Sequence, residues 1–218
     1  MSVLDQIKNF DSFRVLSDEK NLRFPVMEAF YSIQGEGSYS GVAAYFIRLG
    51  GCDVGCHWCD VKESWVTKKH EFLSVDQIIG RVDPGAQIVV ITGGEPLMCD
   101  LGPLTEGLKT KGYRIHLETS GAYPLSGVFD WVCLSPKKRK LPFEAVYQKV
   151  NELKVVVYNR HDFFFAEEQS ACVSASCVLF FQPEWSRSAV MLPLIIDYVK
   201  AHPRWRVSLQ IHKFLDIP

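Results

Sequence analysis

Short apolar runs, each closed off by glycine, proline or polar residues, recur along the chain at 43–49, 87–92, 113–118, 131–134, 152–157, 177–182 and 206–211. Runs of that length between turn-forming residues predict β-strands. Several are separated by stretches with helical character. Ser74 reads as the N-cap of a helix over 74–82, with Gln77 in the capping-box position. The segments 101–111 and 188–200 predict two further helices, with Pro103 near the start of the first and Pro193 inside the second. Strands alternating with helices predict parallel pairing through crossovers. The links 118–131 and 134–152 hold Gly and Pro but little helical pattern, so some crossover helices are truncated. The predicted fold class is α/β, an incomplete TIM-like (β/α) barrel with eroded helices. No linker or repeat divides the chain, so a single domain over 1–218 is expected.

Alternation within the strands is inverted for a sheet that faces solvent. In Tyr113-Arg114-Ile115-His116-Leu117-Glu118 the polar side chains share one face and the apolar ones the other. Lys154 stands among Leu153, Val155 and Val156, and Ser208 and Gln210 share a face. Beneath an outer layer of helices, the polar face lines the interior and forms a ligand cavity. An open sheet with one wet face fits the same pattern.

Composition changes this picture only at the margins. A net charge of -1 excludes a sweeping attraction to nucleic acid. The first twenty residues mix charges with scattered apolar positions, unlike a signal peptide. The most apolar later stretch, 190–199, contains Pro193 and Asp197 and is too short to span a bilayer. Seven cysteines, an odd number, suit a reducing compartment and a metal site better than a disulfide framework. A cytoplasmic protein is expected.

The sharpest chemical signal is Cys52-x-x-x-Cys56-x-x-Cys59, with no fourth cysteine in register. Three thiolates on a 4Fe-4S cube leave one iron without a protein ligand, open to a small molecule. A structural zinc site is closed and tetrahedral. His57, wedged between two of the cysteines, or the less strained His70 would then supply the fourth ligand. Further on, Thr92-Gly93-Gly94-Glu95-Pro96 ends a predicted strand. Paired glycines let the backbone pass close to a ligand, and Glu95 is an acceptor suited to an ammonium group.

In combination these motifs resemble the radical S-adenosylmethionine (SAM) superfamily, whose cysteine loop follows the first barrel strand and whose Gly-Gly-Glu-Pro follows the second. Within it the chain is similar to the 7-carboxy-7-deazaguanine synthase family. The carrying residues are Phe30 through Gly37, Phe46-Ile47-Arg48-Leu49, Trp58-Cys59-Asp60, Ile91 through Pro96, Glu118-Thr119-Ser120-Gly121, Leu134-Ser135-Pro136-Lys137, and Gln210-Ile211-His212-Lys213 through Pro218. The likeness runs from residue 28 to the end and leaves residues 1–24 as an N-terminal extension outside the match.

The resemblance implies a lyase that contracts the ring of 6-carboxy-5,6,7,8-tetrahydropterin with loss of ammonia, a radical step toward 7-deazapurines such as the queuosine precursor. It implies that Cys52, Cys56 and Cys59 hold a 4Fe-4S cluster. Trp58, Asp60, Gly93, Gly94, Glu95, Ser135, Lys137, Gln182 and Pro183 would hold SAM. Gln34, Glu36, Arg48, Thr92, Glu118, His212 and the carboxylate of Pro218 would hold the pterin, with Ile33 and Gly35 in the same loop. Arg48 suits a carboxylate because its planar fork donates two parallel hydrogen bonds. The family often carries Thr or Ser after the Cys-Asp pair as a ligand for Mg²⁺; this chain has Val61, which offers no oxygen.

A homodimer is expected, with 188–200 as its interface helix. The basic run Lys137-Lys138-Arg139-Lys140 reads by default as a solvated surface loop; its functional expectation is a landing site at Lys138 and Arg139 for an acidic, flavodoxin-like reductase. Two rival readings are an activase that places a radical on a partner protein, and a non-enzymatic zinc module. Cys99, Cys133, Cys172 and Cys177 read as buried or half-buried thiols. His116 either lines the cavity or packs, while His161 and His202 read as surface residues.

Overall fold

A computed structural model describes residues 22–218. The expectations for the first twenty residues, and almost all of the extension, lie outside the described residues. Nine strands form one sheet: β1 Arg23–Ile33, β2 Ala43–Leu49, β3 Glu71–Ser74, β4 Ile88–Gly93, β5 Arg114–Thr119, β6 Trp131–Leu134, β7 Glu152–Val157, β8 Val178–Pro183 and β9 Trp205–Val207. Their spatial order is β3-β1-β2-β4-β5-β6-β7-β8-β9. β1 pairs antiparallel with β2 and β3, and every pair from β2 to β9 is parallel. The ends of the series, β3 and β9, do not pair, so the barrel stays open.

The crossovers account for the erosion. The α-helices are α1 Val75–Ile79, α2 Gly102–Thr110, α3 Glu144–Tyr147, α4 His161–Ser170, α5 Ser188–Ala201 and α6 Ile211–Leu215. No helix lies between β5 and β6 among the described residues, and only the single turn of α3 lies between β6 and β7. The expected capping box at α1 is present: Ser74 N donates to Gln77 Oε1 at 2.9 Å, and Gln77 N to Ser74 Oγ at 3.3 Å. α1 nevertheless ends at Ile79, where Gly80 caps it, rather than at Val82. No helix among the described residues is long and apolar enough to cross a membrane.

One expected strand differs. The run 206–211 pairs only as far as Val207. Ser208 N then donates to Phe181 O at 2.8 Å, and Ile211 N to Gly35 O at 2.9 Å. The first of these bonds still runs to β8, but the second turns the chain to the β1–β2 loop, and α6 begins instead.

Alternation sorts the core. Ile47, Ile91, Ile115, Leu117, Leu153, Val155, Leu179 and Phe181 point outward and are almost wholly buried with Leu104, Leu108, Phe163, Met191 and Ile195 of the helices. The opposite face carries Arg48, Thr92, His116, Glu118, Lys154 and Gln182. Of these, Thr92, His116, Lys154 and Gln182 are buried. Polar residues thus line the interior, as the inverted alternation predicts, and the open wet sheet is excluded. Phe46, Ile88 and Val90 form a small apolar floor with Phe30 and Tyr39.

His116 stands against that floor, 4.3 Å edge-on to Tyr39. Among the described residues, its Nε2 is a buried polar atom with no partner. Burial pushes its pKa down to about 4, and the nearby positive charges of Arg114 and Lys109 add to the shift against the opposing pull of Asp130. The native state therefore holds His116 neutral, while the unfolded chain protonates it near 6.5. Its contribution to stability is complete above about pH 6.5 and is lost as pH falls toward about 4. His116→Phe should flatten that part of the stability profile in urea unfolding at stepped pH; parallel profiles for the two proteins would refute it.

Candidate active site

The C-terminal ends of the parallel strands surround a cavity of about 270 Å³ that opens to solvent. Function in a barrel gathers at this end because the strand-to-helix loops converge there. Arg48 arrives from β2, Thr92 and Gly93 from β4, Glu118 and Thr119 from β5, Val156 from β7, and Gln182 and Pro183 from β8. Ser135 and Lys137 follow β6, while Ile33, Gln34, Gly35 and Glu36 come from the end of β1 and its loop.

Cys52, Cys56 and Cys59 line this cavity together with Trp58, Asp60 and Val61. Their loop has little regular structure and is held through its backbone. Gly51 N donates to Ser64 O at 2.6 Å, and Cys52 N to Trp65 O at 3.3 Å. Two glycines let the end of β4 press against the end of β2 and the start of the loop. Gly93 has φ +151, and a Cβ there would come 2.1 Å from Leu49 O; a Cβ on Gly94 would come 2.4 Å from Gly51 O. The loop's far side is pinned by Arg139, which donates to Gly55 O at 2.9 Å, and by Lys140, which reaches Asp53 Oδ2 at 2.8 Å.

The donor set fits an open 4Fe-4S cluster. Three thiols of one loop line the cavity; the fourth cysteine on its lining, Cys133 of β6, is buried and donates to Glu152 Oε1 at 3.4 Å, Cys99 and Cys177 are buried outside the cavity, and Cys172 is exposed. Cys172 thus departs from the expected buried thiol, since it sits on the exposed turn after α4. Among the described residues no three His, Cys, Asp or Glu converge on a single ion. Thiolates on three irons of a cube stand farther apart than three on one ion. His57 stacks edge-on to Tyr158, His70 contacts Glu63 O at 3.1 Å, and neither lines the cavity. Burial pushes the Cys52 thiol up to about 11 and raises Cys56 as well, so loading of metal at these thiols releases protons.

The rest of the cavity is a polar network. Gln34 Nε2 donates to Glu118 Oε1 at 2.9 Å, and Thr92 Oγ1 to Glu118 Oε2 at 3.4 Å. Gln210 Nε2 donates to Glu36 Oε1 at 2.8 Å, and Lys154 Nζ to Glu36 Oε2. Glu36 is drawn down to about 2: its burial opposes ionisation, but Lys154 and Gln210 outweigh it. The His212 ring packs onto Gly35, where a Cβ would come 2.1 Å from Nδ1. Arg48 Nε donates to Glu28 Oε1 at 2.6 Å, which leaves the terminal nitrogens of the fork uncommitted to that partner. Lys137 Nζ reaches Ser135 Oγ at 2.6 Å and lies 5.5 Å from the Trp58 ring centre. Pro218 also lines the cavity, and Ser32 Oγ donates to its carbonyl oxygen at 3.1 Å.

All but one of the expected site residues line this one cavity. The one it does not bring there is Glu95. Glu95 is 1% exposed, and its carboxylate accepts from Leu97 N at 3.0 Å, Thr119 Oγ1 at 2.5 Å, Ser120 N at 2.8 Å and Ser120 Oγ. Sequence reasoning gave Glu28 no place in the site, and it set Lys154 and Gln210 on the cavity-lining face without a role. Lys154 was visible as a lone charge in an apolar strand. Glu28 was not, because its link to Arg48 depends on the register of β1 against β2.

Comparisons with known proteins bear on this geometry. Residues 46–130 match the Radical SAM superfamily. A 7-carboxy-7-deazaguanine synthase from Flavobacterium psychrophilum is 56% identical over 200 residues, covering 92% of this chain and 95% of that one. One from a Synechocystis species is 49% identical over 203 residues, covering 93% and 97%. The crystal structure of QueE from Escherichia coli superposes with a TM-score of 0.75 at 33% identity, over 86% of this chain and 94% of that chain.

Glu95 staples the exit of β4 to the exit of β5, so its loss should be felt as stability. Glu95→Ala leaves several buried donors unanswered and should cost about 3 kcal/mol in urea unfolding of the metal-free protein. Glu95→Gln, which keeps an acceptor oxygen, should cost less. A loss below about 1 kcal/mol for the alanine variant would sink this role.

Proposed function

The chain belongs to the 7-carboxy-7-deazaguanine synthase family of radical SAM enzymes, and from that premise we propose which of its residues do the work. The family implies a 4Fe-4S cluster and SAM. Cys52, Cys56 and Cys59 hold the cluster in this proposal. Trp58, Asp60, Gly93, Gly94, Ser135, Lys137, Gln182 and Pro183 flank SAM. Cluster and SAM together supply one-electron reductive cleavage and, through it, hydrogen-atom abstraction. Every other task falls to the chain.

The substrate is 6-carboxy-5,6,7,8-tetrahydropterin. The Arg48 fork takes its carboxylate, with Glu28 fixing the guanidinium plane from behind. Glu36 and Glu118 accept from the amine and ring N–H of the pterin. Gln34, Thr92, His212 and Pro218 complete that wall, with Ile33 and Gly35 beside them. The observation that carries the proposal is one cavity whose lining holds the three thiols of the Cys52–Cys59 loop together with Arg48, Glu36 and Glu118. The named relatives displace the activase and zinc-module readings.

Val61 lines the cavity where an oxygen ligand for Mg²⁺ is expected, so Mg²⁺ has no hydroxyl ligand from that position. A homodimer through α5, whose Val190 and Ile196 are exposed, belongs to the same proposal. So do a cytoplasmic setting and an acidic reductase docking beside Lys138 and Arg139. Lys138 is paired with Asp162 at 2.6 Å, which leaves less net charge for such a partner than the bare sequence suggests, and Arg139 is held by Gly55 O.

The test is mass spectrometry of an anaerobic mixture of reconstituted protein, reductant, SAM and the tetrahydropterin. A product lighter by ammonia, with SAM largely retained, is expected; deoxyadenosine without that product would discard the substrate. Arg48→Lys, which loses the bidentate fork, should raise KM by about tenfold with a smaller effect on kcat. An unchanged KM would remove Arg48 from the carboxylate subsite. Removing free Mg²⁺ by desalting should alter kcat/KM by less than about twofold, and a loss beyond about tenfold would show a ligand set that does without Val61.

A further inference from the structure

Lys154 has no task in the roles assigned above, yet it occupies the middle of the polar network. It lies on β7 at 4% exposure. Its ammonium is bonded to Glu36 Oε2 and stands 3.9 Å from Glu118 Oε1. Both carboxylates line the cavity, and so does Lys154. A third, Glu152, is turned away to Ser38 N at 2.9 Å and Trp131 Nε1 at 3.4 Å. Cys133, Lys137 and His212 are the other titratable groups that act on this cluster.

Carboxylates that share one shielded cavity do not both stay ionised without a cation between them; one takes up a proton. We infer that Lys154 is the specificity-setting positioning residue of the pterin pocket: it bridges Glu36 and Glu118, keeps both as anions, and so makes the two carboxylates accept hydrogen bonds without donating any. The inference rests on the substrate reading above. Burial works against the Lys154 charge, but attraction to Glu118 and Glu36 prevails and holds it well above the ordinary lysine range. Neutral donors then fix each carboxylate from a second side, Gln210 on Glu36 and Gln34 on Glu118.

An acceptor-only pair of carboxylates selects a ring edge that carries two donors, the exocyclic amine and the adjacent ring N–H of a 2-amino-4-oxopyrimidine. It rejects the 2-oxo analogue, whose carbonyl would face carboxylate oxygens. Without Lys154 the pair keeps one proton at neutral pH. The wall then loses an acceptor, gains a donor, and discriminates poorly. Deprotonation at higher pH restores the acceptor.

The experiment is anaerobic equilibrium binding to the holoenzyme with SAM and no reductant, so that ligands bind without turnover. The probes are 6-carboxytetrahydropterin and its 2-oxo analogue. For the native protein the pterin Kd should stay within about twofold from about pH 6 to about pH 8.5, with the analogue at least about a hundredfold weaker. Lys154→Met should weaken pterin binding by at least about tenfold at low pH, recover part of it as pH rises, and narrow the preference by at least about tenfold. Lys154→Arg should restore both properties. Equal weakening of both ligands at every pH would show a packing role only and overturn the inference, as would unchanged binding. Should Lys154→Met not fold, a native Kd that rises as pH falls through this range would overturn it by itself. No pterin binding by the native holoenzyme at any pH would instead overturn the substrate reading, and this inference with it.

Discussion

Side chains on a β-strand alternate between two faces, and the site follows from that constraint. Helices cover the outside of this sheet, so Ile47, Ile91, Leu117, Leu153 and Phe181 must face them. The interior then receives the intervening positions, among them Arg48, Thr92, His116, Glu118, Lys154 and Gln182. Polar groups removed from water need partners. They find them in one another, through Gln34–Glu118, Lys154–Glu36 and Ser208–Gln182. His116, with an unpartnered nitrogen, is the exception. It lies lower in the interior, beside the apolar floor of Phe46 and Val90.

The cysteine loop obeys a different rule. Its thiols must stay available, so the backbone and neighbouring side chains fix it. Ser64, Trp65 and Glu95 bond to its main chain at Gly51 and Cys52, and the end of β4 presses on its start and on the end of β2 through two glycines. The basic run 137–140 works here rather than as a loose surface patch, with Arg139 on Gly55 and Lys140 on Asp53. Glu95 belongs to the same frame. Within a motif that points at a ligand, its carboxylate instead fastens the end of β4 to Thr119 and Ser120 at the end of β5. The motif shapes the cavity as much as it lines it.

These differences explain what the sequence made legible. The parallel strands are short apolar runs between breakers, so β2, β6 and β7 appear with their observed limits. The truncated crossovers were equally plain, because Gly and Pro fill 118–131. β1 was hidden: Pro25 interrupts it, and its pairing is antiparallel at the edge of the parallel set. α4 was hidden by three consecutive phenylalanines, Phe163 to Phe165, which obscure helical spacing. The cysteine loop was legible because its three thiols are local in sequence. The Lys154–Glu36 pair joins residues 118 positions apart, and no local pattern encodes it.

The distribution of charge gives the cavity a direction. Glu36, Glu118 and Glu152 surround Lys154 deep in the interior, where the lysine side chain is 6% exposed. Acceptors outnumber cations there, which favours neutral N–H donors over an anion. Arg48 stands nearer solvent, its side chain 20% exposed, and Glu28 engages only its Nε. Its remaining donors suit a carboxylate, and the partial exposure lowers the desolvation cost of bringing one in. A ligand with N–H donors on one edge and a carboxylate on the other therefore matches these two regions in one orientation only. Reversing it sets carboxylate against carboxylate, a mismatch that the low dielectric of the interior magnifies. Orientation in this site thus comes from a gradient of charge across the wall, and shape completes it.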